Sequence, residues 1–367
     1  MDKKKILAGA EKGFDYAQFD LGCMYLDGDG VPQDFVEAVK WFRKSADQGY
    51  SRAQSSLGSM YEYGRGVPQD FVEATKWYSK AANQGNAVAQ NNLGVIFTDG
   101  KFSPKDYLKA VELFRSSANQ GNVEALRNLG RMYRNGQGVV RDFAEADRLY
   151  YEAANHEDTI AQLYVGCRYS LAQNHTEAVI WFDRAAEQGN VNAQLCLGAM
   201  YYEGIFFAQD FDEAFKWLIK ASKQRDLEAK WQFILGHIFY FKKSAEAVNW
   251  FRRAAEQGDI KSQLCLGAMY YEGKFILRDF DEAFKWLSKA TVYGHVDAAR
   301  NWRSICDAQL ILFDCKRQPS QPMPMDSITW RIRDILKRNL RPKSTPKDYA
   351  RSITYHFIRH NLMSNLI

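Results

Sequence analysis

The chain has 367 residues, 46% of them hydrophobic and 25% charged, with a formal net charge of +5. It holds no apolar run of the roughly 20 residues that a membrane-spanning helix needs, and its charged start, Met1-Asp2-Lys3-Lys4-Lys5, leads into no apolar run of signal length. The charge is uneven: residues 316–367 hold eleven Lys and Arg against three Asp, so that segment carries +8 and residues 1–315, the remainder of +5, carry −3.

Residues 3–13 align with the end of a helix that recurs later, Ala10 matching Ala46 and Gly13 matching Gly49, and predict an N-terminal half-repeat cap. Two alternating helices follow. Helix A carries Ala17, Leu21, Gly22 and Tyr25 at helical spacing, and its glycine returns as Gly58, Gly94, Gly130, Gly166, Gly198, Gly236 and Gly267. The spacings are 36, 36, 36, 36, 32, 38 and 31, the short ones arising from deleted loop residues. A mid-helix glycine costs up to ~1 kcal/mol against alanine, so eight of them predict a close approach, with the Trp of helix B crossing over that backbone.

Helix B starts at Asp34-Phe35-Val36-Glu37-Ala38-Val39-Lys40-Trp41-Phe42 and returns from Asp70, Asp210 and Asp279, with weaker copies from Asp106 and Asp142. The Asp predicts an N-cap, and the Glu three residues on predicts a capping box that reaches back to the cap residue's own N–H. Gly28-Asp29-Gly30-Val31-Pro32 and Gly64-Arg65-Gly66-Val67-Pro68 make the turn between helices A and B. They follow no strand and lack the Gly-Lys-Ser/Thr ending of a phosphate loop. Residues 178–221 and 247–290 are near copies offset by 69, so the sixth and eighth units present similar surfaces.

These residues together, A-x-x-x-L-G-x-M-Y-x-x-G-x-G-V-x-x-D-F-x-E-A-x-x-W-[FY]-x-K-A-A-x-Q-G, resemble the Sel-1-like repeat, a relative of the tetratricopeptide repeat. The resemblance covers roughly residues 2–313. Leu113 and Leu149 depart from it at the helix-B Trp, and Arg303 stands for the glycine of a half-formed ninth unit. It implies an all-α fold, a right-handed α/α superhelical solenoid with helix A on the concave side. It also implies an adaptor or scaffold role without intrinsic catalysis or a cofactor.

Some secreted members staple helix A to helix B by disulfides. Here Cys23, Cys167, Cys196 and Cys265 all lie on helix A with no helix-B partner, which predicts free thiols and a cytoplasmic protein, in its own cell or in one it is delivered to. His356 and His360 have metalloprotease spacing without the Glu, and Cys306 and Cys315 stand too far apart for a zinc finger, so no metal site is predicted.

Carried over from the family, the concave positions of helix A lie at glycine −6, −3, +1, +4 and +5. In the fourth unit they are Glu124, Arg127, Arg131, Arg134 and Asn135. Arg127, Arg131 and Arg134 share one helical face, and guanidinium forks suit carboxylates. They predict a protein partner with an acidic segment or a C-terminal carboxylate, with Asn91 of the third unit as an added amide donor. Tyr202, Phe233, His237, Tyr240 and Tyr271 occupy comparable positions in the sixth to eighth units and predict an aromatic part of the same groove.

After Gly294 a last helix is expected from about Val296 to Phe313. A Pro-rich linker follows over 316–325, and then a basic helical module over 326–367, with Tyr349, Ile353, Phe357 and Ile358 on the stripe of its second helix. That module reads as a C-terminal cap. The alternative is a tether to nucleic acid or an anionic membrane.

Overall fold

The computed structural model describes residues 3–100, 105–205, 208–292 and 357–363. The expected helix from Val296, the 316–325 linker, Cys306 and Cys315, His356, and Tyr349 and Ile353 lie outside them. Among the described residues the fold is all-α, with no strand, and falls into two compact units, one ending at Val165 and one beginning at Gly166.

The first unit holds the cap helix α1 (Lys3–Glu11), then α2 (Asp15–Asp27), α3 (Phe35–Asp47), α4 (Ser51–Tyr63), α5 (Phe71–Asn83), α6 (Ala87–Asp99), α7 (Tyr107–Ala118), α8 (Val123–Asn135) and α9 (Phe143–Asn155). Helix α10 (Thr159–Leu171) spans the boundary. The second unit holds α11 (His175–Glu187), α12 (Val191–Glu203), α13 (Phe211–Ser222), α14 (Ala229–Phe241), α15 (Glu246–Glu256), α16 (Ile260–Glu272) and α17 (Phe280–Val292), followed by a π-helical turn, Phe357–Leu362. Even-numbered helices from α2 are the A helices, and α2, α4, α6, α8, α12, α14 and α16 each pack most closely on the B helix that follows.

The B helices begin where the aspartates predict. Asp34 Oδ1 accepts from the N–H groups of Val36 and Glu37 at 2.9 and 3.0 Å, and Asp70, Asp142, Asp210 and Asp279 repeat the pattern. The reciprocal half of the expected capping box is absent. The Asp34 N–H donates instead to the Tyr25 carbonyl of the preceding helix at 2.9 Å, and Glu37 pairs with Lys40 at 2.6 Å. The cap residue thus ties the two helices of one repeat together, and its N–H has no need of the Glu.

The close approach at the helix-A glycines is real, but the covering residue is the one after the Trp. A Cβ on Gly58 would fall 2.8 Å from the Tyr78 ring and one on Gly198 would fall 2.6 Å from Leu218. Phe42, Phe114, Tyr150, Phe182, Phe251 and Leu287 play the same part elsewhere. Trp77 instead joins the core of the preceding helices, with Ala38, Phe42, Leu57 and Met60, and Lys80 lies 4.0 Å over its ring. Trp217 and Trp286 are likewise buried, with Lys220 and Lys289 over them. A 100° turn per residue separates the two roles: the Trp flanks the neighbouring repeat while the next residue faces helix A.

Glutamines extend the bonding from repeat to repeat. Gln54 Nε2 donates to the Ala46 carbonyl at 3.2 Å and its Oε1 accepts from Gln84 at 2.8 Å; Gln90 and Gln120 repeat this one unit on. Among the turn glycines, Gly66 has a φ of 71° and Gly138 a φ of 69°. A Cβ at either would run into the backbone carbonyl of Phe35 or Tyr107, at the start of the preceding B helix. The second glycine of these two Gly-x-Gly turns is therefore a packing contact, whereas a Cβ on Gly30 would meet only side-chain atoms, the nearest at 3.5 Å.

Candidate functional site

Helix α8 presents the arginine face. Asn122 caps it, accepting from the Ala125 N–H at 2.9 Å, so its first turn is fixed by local chemistry. Arg127, Arg131 and Arg134 project on one side and are all half-buried. They converge on a pair of stacked tyrosines, Tyr150 and Tyr164, whose ring centroids lie 3.9 Å apart at 21°. The Arg134 guanidinium lies 5.5 Å over the Tyr164 ring, and Tyr164 donates to Asp147 Oδ1 at 2.7 Å. Burial raises the Tyr150 phenol above its ordinary pKa, and the three arginines oppose that shift. Tyr150 therefore stays a neutral donor at physiological pH beneath a cationic surface.

The three arginines differ in role. Arg127 donates to Asp158 Oδ2 at 2.5 Å, and the Asp158 side chain is only 8% exposed. Asp158 also accepts from the Ala161 N–H at 2.7 Å, starting α10. Arg127 thus holds the junction between α8 and α10 and is no removable surface charge. Arg134 is engaged by its ring contact. Arg131 is half-buried and makes no ion pair among the described residues. Glu124, one turn before Arg127, accepts from Asn91 Nδ2 at 3.2 Å.

Asn91 is buried, and its Oδ1 accepts from Asn128 at 2.9 Å. Its amide links the third repeat to the fourth, so its expected role as a donor to a partner gives way to this internal network. The aromatic part of the predicted groove is similarly enclosed. His237 is wholly buried, its Nδ1 lies 3.0 Å from Tyr202 Oη, and Phe211, Phe233 and Phe241 surround its ring. Tyr202, Phe233 and Tyr271 are buried with it. Tyr202 meets His237 across α12 and α14, and Phe233 stacks on His237 within α14. Tyr240 remains half-buried, with Lys274 donating to its hydroxyl at 2.6 Å and lying 4.0 Å over its ring.

Asp158, Tyr150, Tyr164 and Asp147 were not predicted as site residues. A signal for Asp158 existed: it stands where Asn86, Asn122 and Asn190 cap three other A helices, and, like Asp259 of α16, it adds a charge there. Among the described residues no group of three or more His, Cys, Asp or Glu side chains is placed to hold a metal, and no helix is long and apolar enough to cross a membrane.

Known structures share this architecture. A crystal structure of c5321, a protective antigen present in uropathogenic Escherichia coli strains displaying an SLR fold, is 30% identical and matches 98% of this chain and 79% of its own with a TM-score of 0.62. A Sel1 repeat protein from Oxalobacter formigenes is 34% identical over 58% of this chain and 89% of its own, with a TM-score of 0.55. The family model described as the Sel1 repeat matches residues 15–50, 51–86, 87–122, 123–158, 159–190, 191–226, 236–259 and 260–291. Those limits follow the helix pairs built above through most of the array, and the chain belongs to the Sel1 repeat family.

Proposed function

We propose that this chain is a non-catalytic adaptor that grips an acidic segment or C-terminal carboxylate of a protein partner on the arginine face of α8. Sel1 repeat proteins are generally protein-interaction scaffolds and typically lack catalysis. The observation that carries the reading is Arg131. It is half-buried, free of any ion pair among the described residues, and flanked by two arginines whose positions are held by Asp158 and Tyr164. A guanidinium whose neighbours are fixed loses little entropy when a carboxylate arrives. The nearby neutral phenol of Tyr150 lowers the local polarity, which strengthens a charge-assisted bond.

The test is affinity capture with the full chain and with Arg131→Glu as baits, once both melt alike. The reading expects a partner that the wild type retains and the variant loses. Identical retained sets would refute it. The alternative, a nucleic-acid or acidic-membrane tether through 326–367, rests on residues that lie mostly outside the described ones. Its described part, with Phe357, Ile358 and Leu362 buried, favours docking onto the repeats instead. A tether would show itself by retained nucleic acid or lipid whose binding falls steeply with salt.

A further inference from the structure

The repeat pattern breaks at one place in the second unit. The family match stops at residue 226 and resumes at 236. Within that gap stands Trp231, five residues before the helix-A glycine. The other A helices carry a small buried residue there: Ala17, Ala53, Ala89, Ala125, Ala161, Ala193 or Ser262. Ala53 shares a core with Ala38 and Ala46 of the preceding B helix, and Ala89 shares one with Ala74 and Ala81. A tryptophan is too large for such a crossing, and the contact between α13 and α14 is correspondingly sparser than those of α11 with α12 or α15 with α16.

The chain's own C-terminal turn comes to this place. The Phe357 ring meets Trp231 edge-on, with centroids 4.9 Å apart at 87°, and the Lys230 ammonium lies 4.6 Å over the Phe357 ring. Phe357, Ile358 and Leu362 are buried, and the turn also packs on α12.

We propose that Phe357–Leu362 is a built-in ligand of the array, seated in a receptor that α12 and α14 form around Trp231. The receptor recognises a short turn of the chemistry Phe-Ile-x-x-x-Leu. Trp231 supplies an aromatic edge-to-face contact and Lys230 a cation over the same ring. The break in the repeat is then the means by which one unit departs from self-packing to hold a separate segment. The site is built from residues distinct from the α8 arginines and does not depend on their reading.

The experiment vacates the site and refills it. The full chain carrying Phe357→Asp and Leu362→Asp is titrated with a fluorescein-labelled peptide of residues 355–363, beside the wild type, and binding is read by polarisation. The vacated variant is expected to bind the peptide at least about tenfold more tightly than the wild type, and adding Trp231→Ala should remove that gain. Equal binding to the two chains, or none to either, overturns the proposal. If the double substitution unfolds the repeats, Phe357→Ala takes its place in the same titration. Unfolding of that variant too would overturn the proposal, because a removable occupant can leave and a structural part cannot.

Discussion

Asp158→Ala probes the frame of the arginine face most directly. Asp158 has two jobs, accepting from Ala161 N–H at the start of α10 and from Arg127. Loss of a helix cap costs about 1 kcal/mol, and a hydrogen bond to a charged group contributes about 1.5–3 kcal/mol. The Arg127 side chain keeps 24% exposure, so water partly compensates the orphaned guanidinium and the lower half of that range applies. The expected cost is about 2–4 kcal/mol, read from urea melts followed by circular dichroism. Asp158→Asn separates the two jobs, since asparagine caps α8 and α12 in the same position. It should keep the cap and lose only the ionic part, costing about 1–2 kcal/mol. Arg127→Glu should cost more than Asp158→Asn, because it sets two carboxylates together where an ion pair stood. An Asp158→Ala chain within about 0.5 kcal/mol of wild type, or an Arg127→Glu chain as stable as wild type, would show that the ion pair does not hold this junction.

Three further outcomes follow from packing and titration. Gly58→Ala gains up to ~1 kcal/mol of helix propensity, but its Cβ would lie 2.8 Å from the Tyr78 ring. Overpacking of ~1–3 kcal/mol should make it net destabilising, and more so than Gly130→Ala, where the Cβ would sit 3.1 Å from Tyr150; a stabilised Gly58→Ala would contradict the close approach. Trp217→Ala should cost ~3–5 kcal/mol, and an unchanged melt would mean that the B-helix stripe faces solvent. The Cys23 thiol is pushed up to about 11, first by burial and then by Asp27 and Asp20. Because its pKa is raised, little thiolate exists at neutral pH, so iodoacetamide labelling should be slow at pH 7 and rise about tenfold per pH unit towards that value. Cys167, Cys196 and Cys265, all buried, should label only after unfolding; rapid labelling of any of the four at pH 7 would oppose this.

The architecture was legible because the repeat writes its own helix starts. The aspartate caps and the mid-helix glycines recur at fixed spacing, and both reappear as local bonds and close contacts in the structure. The side of each contact was less legible. That Tyr78 rather than Trp77 covers Gly58 depends on how far helix B rotates against helix A, which spacing along one helix does not encode. The α8 arginines were picked out at concave positions carried over from the family, yet the division of labour among them was hidden. It is set by Asp158 and Tyr164, which lie 31 and 30 residues from Arg127 and Arg134. Burial of His237 and Tyr202 was hidden for the same reason: a position carried over from a family says which way a side chain points, and its neighbours decide whether it is reached.

The central claim is that Arg131 is the guanidinium held ready for a partner's carboxylate. The measurement is a titration of the captured partner against the full chain and Arg131→Glu, by calorimetry at two salt concentrations. The account predicts at least about 100-fold weaker binding by the variant, about 2.7 kcal/mol, with unchanged melting, and a wild-type affinity that falls as salt rises. Equal affinity in the two chains, with both folded, would contradict it and leave the arginines of α8 as a solvated face.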